Sequence, residues 1–175
     1  MAQVQQFLRI CLDIVLWRRG PQDLPASRLL LAIAVAAYVA VSAVQLALLG
    51  ETAATWFFFL VIDPLLLAGW MWLVLRLHGR PERFLQTASA VFGTGAVLGI
   101  GLYLPLQLII TGLGYDPTSG LAQFFALVLV VVFALVTGRI IKLATDSSLF
   151  TGIAVSLTYF LLINYLVGVL RGPGT

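Results

Sequence analysis

Five apolar runs, at residues 29–49, 53–75, 84–111, 121–137 and 149–170, leave this chain almost no fold that water could surround. A helix rising about 1.5 Å per residue needs about 20 residues to cross a hydrocarbon core of about 30 Å, and the five runs bracket that length. Membrane strands would give shorter, alternating segments. The expected fold class is therefore all-α, a polytopic membrane helix bundle with five transmembrane helices. Composition agrees, because 61% hydrophobic and 10% charged residues cannot build the polar shell that a soluble domain, about 25% charged, requires.

The runs differ in ways that bear on structure. The second is interrupted by Asp63-Pro64, and Trp56, Trp70 and Trp72 stand towards its ends, where amphipathic rings favour the headgroup level. The third holds 28 residues. As a straight helix it would measure about 42 Å, so it must tilt, kink at Pro105 or begin in the interface.

Residues 4–17 are too short to span and carry Arg9 and Asp13. Gln5 or Gln6, Arg9 and Asp13 recur on one side at helical spacing, while Phe7, Leu8, Cys11, Ile14, Val15 and Trp17 occupy the rest. This reads as an N-terminal amphipathic helix lying in the interface with its apolar side among the acyl chains. Gly20-Pro21 and Pro25 end it. The expected organisation is a cytoplasmic helix and linker at 1–27, one transmembrane unit at 28–171 and a short external tail at 172–175.

Short loops give the orientation. Arg9, Arg18, Arg19 and Arg28, then Arg76, Arg80 and Arg83, then Arg139 and Lys142 place nine basic residues on the N-terminal side, against Arg171 alone opposite, where Glu51 and Asp116 stand. The positive-inside rule thus predicts a cytoplasmic N-terminus and an external C-terminus in a multi-pass membrane protein.

Asp63 is the only ionisable residue well inside a run, and a charge there costs about 2.5–3.5 kcal/mol even on insertion scales. Tyr103 and Asn164 lie at comparable depth, with Gln45 and Gln107 nearer the outer surface, and these are the expected partners. One reading makes the group a polar pocket in which Asp63 takes up a proton or binds a headgroup. The other makes it interhelix adhesive, with Asp63 donating towards the Leu60 carbonyl that Pro64 frees.

The third run contains Ser89, Gly93, Gly95, Gly99 and Gly101. Without a preceding strand these are no phosphate loop, and the Ser89/Gly93 and Gly95/Gly99 spacings suit close helix packing. Arg18 and Arg19, with Arg76, His78, Arg80 and Arg83, are candidates for contact with anionic headgroups or an acidic partner, although topology alone accounts for them. Cys11 reads as a small hydrophobe. With one cysteine and one histidine, no metal site, disulfide or cofactor is expected, and no catalytic set forms. The basic residues flank apolar runs instead of forming a stripe, so nucleic acid is not an expected partner.

The segment Gly79-Arg80-Pro81-Glu82-Arg83-Phe84-Leu85-Gln86-Thr87, leading to Val91-Phe92-Gly93 and then Leu104-Pro105, resembles the Yip family, the Ypt/Rab-interacting membrane proteins and their prokaryotic relatives. Gly93 matches the glycine of the family's Gly-Tyr pair, with Thr94 in the tyrosine's place, and Gly20-Pro21 matches the end of its Asp-Leu-Tyr-Gly-Pro segment. The resemblance implies five spans, a cytoplasmic N-terminus and, for a prokaryotic branch, the inner membrane. Two functions are expected from the sequence. One is a non-enzymatic scaffold that organises lipid or recruits a protein partner or a second copy of itself. The alternative is a small transporter or lipid-translocating protein that uses the polar region around Asp63.

Overall fold

The computed structural model describes residues 2–112, 114 and 120–171. Asp116, the Arg171 side chain and the tail 172–175 lie outside the described residues. Helix α1 is Ala2–Val15, α2 Arg28–Leu49, α3 Ala53–Leu77, α4 residues 84–112, α5 Gly120–Thr145 and α6 Leu149–Arg171. Short 3-10 turns at Pro21–Asp23 and Pro81–Arg83 lead into α2 and α4. Among the described residues five helices are long and apolar enough to cross a membrane. Their outer faces carry exposed Leu29, Leu65, Leu127, Leu161 and Val169, a surface that lipid accepts and water does not.

The helices pack as two pairs, α2 with α4 and α5 with α6, joined by α3, which touches α2, α4 and α6, and by contact of α4 with α5. In the first pair a Cβ on Gly95 would fall 3.1 Å from the Tyr38 ring, and one on Gly99 would fall 2.5 Å from Val41. In the second, a Cβ on Gly152 would collide with the Gly138 carbonyl, so the two backbones touch. That contact lies at the α1 end of the bundle. Small residues permit such approach where apolar lipid offers no drive for helix association.

Prolines shape α3 and α4 in the same way. Proline lacks an N–H, and its ring presses on the carbonyl four residues back. Both helices absorb this with a π-turn, Phe58–Ile62 before Asp63-Pro64 and Gly99–Tyr103 before Leu104-Pro105. The Asp63 amide reaches back to the Phe58 carbonyl and the Leu104 amide to the Gly99 carbonyl, five residues in each case. Each widened turn inserts an extra residue and re-aims the side chains that follow it. In the long third run the helix is thus irregular just ahead of Pro105.

The fourth apolar run ends at Thr137 in sequence, but α5 continues to Thr145. Ile140, Ile141 and Ala144 are buried, and Arg139 turns to the end of α1. Its guanidinium donates to the carbonyls of Trp17 at 2.8 Å and Arg19 at 3.0 Å and stacks 5.2 Å from the Trp17 ring. A cation at the carbonyl end of a helix is favourable, so Arg139 has no need of a loop.

The interfacial expectation for α1 changes in one respect. Phe7, Ile10, Cys11 and Ile14 are buried and belong to the same core as Met71, Phe92 and Ile140, whereas Leu8, Leu12 and Leu16 are exposed. Only part of the apolar arc is therefore exposed, because the rest packs on α4 and α5. At Gly93 the approach is so close that a Cβ would fall 2.6 Å from Cys11 Sγ. The linker follows, with Leu24 buried and its carbonyl accepting from Gln86 Nε2 at 2.8 Å. Residues 1–27 read as a separate segment in sequence, yet the described part of them shares one core with the bundle.

Candidate functional site

At the end away from α1 the two helix pairs stand apart, and a cavity of about 560 Å³ opens between them. It runs along α2 from Tyr38 to Leu49, which is about 16 Å at helical rise. Its volume lies within the range of small-molecule sites, about 300–1,000 Å³. Leu67, Met71 and Val91 line its inner part, beside the shared core that closes the α1 end.

Asp63 lies in the cavity wall, 3% exposed, where the π-turn ahead of Pro64 delivers it. Tyr38 from α2 donates its hydroxyl to Asp63 Oδ2 at 2.8 Å, and Tyr159 from α6 donates to Oδ1 at 2.7 Å. The Tyr159 hydroxyl also lies 3.1 Å from the Asp63 carbonyl oxygen. One carboxyl thus joins three helices, and each of its oxygens receives a hydroxyl donor. Tyr38 is further fixed by an edge-on contact with the buried Phe92, centroids 5.3 Å apart, and Trp70 packs 6.3 Å from the Tyr159 ring.

These partners differ from those expected. Tyr103, Asn164 and Gln45 line the same cavity as Asp63 but do not bond to it. Asn164 Nδ2 donates to the Phe160 carbonyl of its own helix at 2.8 Å, and Tyr103 ends the second π-turn, beside Glu51 in the lining. Gln107 is not among the lining residues. The carboxyl accepts from tyrosines instead of donating towards Leu60, and the π-turn deals with the disruption Pro64 causes. The sequence did hold a signal for the tyrosines, since Tyr38 and Tyr159 each stand ten residues beyond the first residue of their helices, Arg28 and Leu149, both at the arginine-bearing end.

The glycines divide by face. Gly93 meets α1 and Gly95 and Gly99 meet α2, whereas Gly101 has nothing within 4 Å. Ser89 is fully buried, with its hydroxyl lacking a hydrogen-bond partner.

The arginine-bearing end is largely occupied with the chain's own groups. Arg83 donates to the carbonyls of Leu143 at 3.2 Å and Ala144 at 3.1 Å and, with Arg80, pairs with Asp146. The hydrogen bond from Arg83, then the charges of Arg83 and Arg80, hold the Asp146 carboxyl below its ordinary range. Arg19 pairs with Asp13 at 3.3 Å, Arg76 stacks 4.9 Å from Trp72, and His78 Nδ1 donates to the Val74 carbonyl at 2.8 Å. Arg18 is exposed. Burial without a charged neighbour pushes the Cys11 thiol up to about 12, which keeps it protonated and unreactive. Among the described residues no three His, Cys, Asp or Glu side chains gather as a metal set.

Comparison with family models, with curated proteins and with solved structures finds no match to this chain.

Proposed function

We propose that this chain is a multi-pass membrane protein, N-terminus in the cytoplasm and C-terminus outside, that receives a small amphipathic molecule in the cavity around Asp63 and moves it within or across the bilayer. No bond-making chemistry is assigned to it. The observation that carries the reading is a 560 Å³ cavity whose deep wall holds a carboxyl between two tyrosine hydroxyls. Intramembrane ionisable groups are expensive, and they mark ligand and ion paths where they line a cavity. One end of the bundle is closed by α1 and the shared core while the other is open, which is the one-sided access that translocation requires.

The scaffold reading draws less support from the geometry. It relied on Arg18, Arg19, Arg76, His78, Arg80 and Arg83 being free to grip headgroups or a partner, and of these Arg19, Arg76, His78, Arg80 and Arg83 engage groups of this chain, while Arg18 is exposed.

Reconstitution of the full chain into vesicles loaded with fluorescent amphiphiles and lipids provides the test. Faster movement than in protein-free vesicles, slowed by Asp63→Asn, is the expected result. Rates equal to protein-free vesicles for every probe would return the protein to the scaffold class.

A further inference from the structure

We propose that the molecule this cavity takes is an uncharged amphiphile with a hydroxyl-rich head, a sugar or another polyol on an apolar tail. The inference rests on the cavity being an amphiphile site, as argued above, and adds the chemistry of the head. What carries it is a set of hydroxyls that the protein itself does not engage. A serine or threonine in a helix can return its hydroxyl to the carbonyl four residues back, and Thr87, Thr94, Thr145 and Thr158 do so at 2.9, 2.7, 2.8 and 2.9 Å. Ser42, Thr137 and Ser156 line the cavity, half-buried, and their hydroxyls bond to no described residue. The Gln45 amide, also in the lining, is likewise without a hydrogen bond among the described residues.

The hydroxyls gather towards the deep end. Thr137 stands eight residues before the end of α5 and Ser156 seven beyond the start of α6, which is about 11–12 Å from the arginine-bearing end and just under the level of Tyr159. Ser42 lies about one turn outward from Tyr38 on α2, and Gln45 nearly one turn further. Tyr38 and Tyr159 give their protons to Asp63 and keep oxygen lone pairs with which to accept. The deep end therefore offers donors and acceptors together, and Gln45 repeats the offer on the way in.

A hydroxyl donates and accepts at one atom, so a polyol answers such a surface. A quaternary ammonium can do neither, and a sulfate or a phosphate diester only accepts. A charged head would also be costly this far inside a membrane, and each oxygen of Asp63, the acid at this depth, already receives a hydroxyl. Further out Leu46, Leu129, Val130 and Ile163 supply apolar wall for the tail.

Octyl glucoside carries a head of this kind, and octyl sulfate, octyltrimethylammonium and fully O-methylated octyl glucoside share its tail. Binding of each to the full chain in phosphatidylcholine nanodiscs is measured by equilibrium dialysis below solubilising concentrations, with empty nanodiscs subtracted. Octyl glucoside should bind tighter than the other three by about tenfold or more, because a site built to bond hydroxyls rejects analogues that lack them. Thr137→Val combined with Ser156→Ala should remove most of that preference, and Ser42→Ala should reduce it. None of these substitutions removes a hydrogen bond to a described residue, so both variants should keep the SDS unfolding transition of the parent, and Ser42→Ala keeps the test decisive should the double variant fail to fold. Binding of a charged or O-methylated probe as tight as that of octyl glucoside, or octyl glucoside binding indifferent to the substitutions, overturns the polyol assignment and leaves the amphiphile site standing. Failure of all four probes to bind removes both readings.

Discussion

Asp63 is held by hydroxyls that come from two other helices, so removing either donor has a defined consequence. Tyr38→Phe or Tyr159→Phe leaves one carboxyl oxygen without a partner in an apolar wall, which should lower stability by about 1–3 kcal/mol. Unfolding in mixed micelles with increasing SDS reads this directly, and an unchanged transition in both variants would show that the bridge holds nothing together. Cys11 makes the opposite kind of test. With its thiol at about 12 and no exposed surface, it should resist maleimide at pH 8 in the folded protein and react fully once denatured. Rapid labelling of folded protein would mean that α1 is not docked. At this scale the sequence showed Asp63 because a lone acid in an apolar run is conspicuous. Tyr38 and Tyr159 stayed hidden because tyrosine carries no charge at neutral pH and is ordinary near membrane interfaces, and only a count of depth along α2 and α6 brings them level with each other.

Helix contacts in this bundle are set by small residues, and the glycines give contrasting expectations. Gly152→Ala would drive a Cβ into the Gly138 backbone, which cannot yield as a side-chain tip can, and should destabilise by about 1–3 kcal/mol or more. Gly101→Ala meets nothing within 4 Å and should be neutral or slightly stabilising through helix propensity. Folded yield and SDS midpoint compare the two, and equal losses would refute the α5–α6 contact. The Gly95/Gly99 spacing was legible because both residues lie within one run. Gly138 and Gly152 belong to different helices, and nothing in the sequence joins them. The end of α5 was hidden for a related reason, since Arg139 looks like a loop residue until the carbonyl end of α1 is placed beside it. The tie between Arg80, Arg83 and Asp146 joins the start of α4 to the end of α5, and it responds to pH. Asp146 is held below its ordinary value of 3.8, so its contribution is present at neutral pH and is lost as pH falls through the lowered value. Asp146→Asn should erase that acid-side dependence. The effect should be small, because the Asp146 side chain is 52% exposed and water screens such pairs. An acid limb of the stability profile identical in wild type and variant would assign it to other carboxyls.

The whole molecule is a bundle sealed at one end and parted at the other, and the number of apolar helices was the part of this most open to prediction, because length and hydropathy are properties of single segments. The cavity was not, since it arises from how two helix pairs diverge above the level of Asp63. Function depends on which side of the membrane the parted end faces. The nine basic residues at the sealed end argue for that end in the cytoplasm, which would turn the cavity mouth and Glu51 outward. Single cysteines placed in a Cys11→Ala background test it with little disturbance, because Ala53 and Ser148 are both exposed and stand at the starts of α3 and α6, at opposite ends of the bundle. Ala53→Cys should react with a membrane-impermeant maleimide in intact cells, and Ser148→Cys only after permeabilisation. The reverse pattern would place the basic end outside and turn the mouth to the cytoplasm, so that a ligand would enter from within. Labelling of both in intact cells would mean that the chain takes two orientations, as expected of a topology whose charge bias is too weak to choose, and the nine-to-one distribution of basic residues speaks against that outcome.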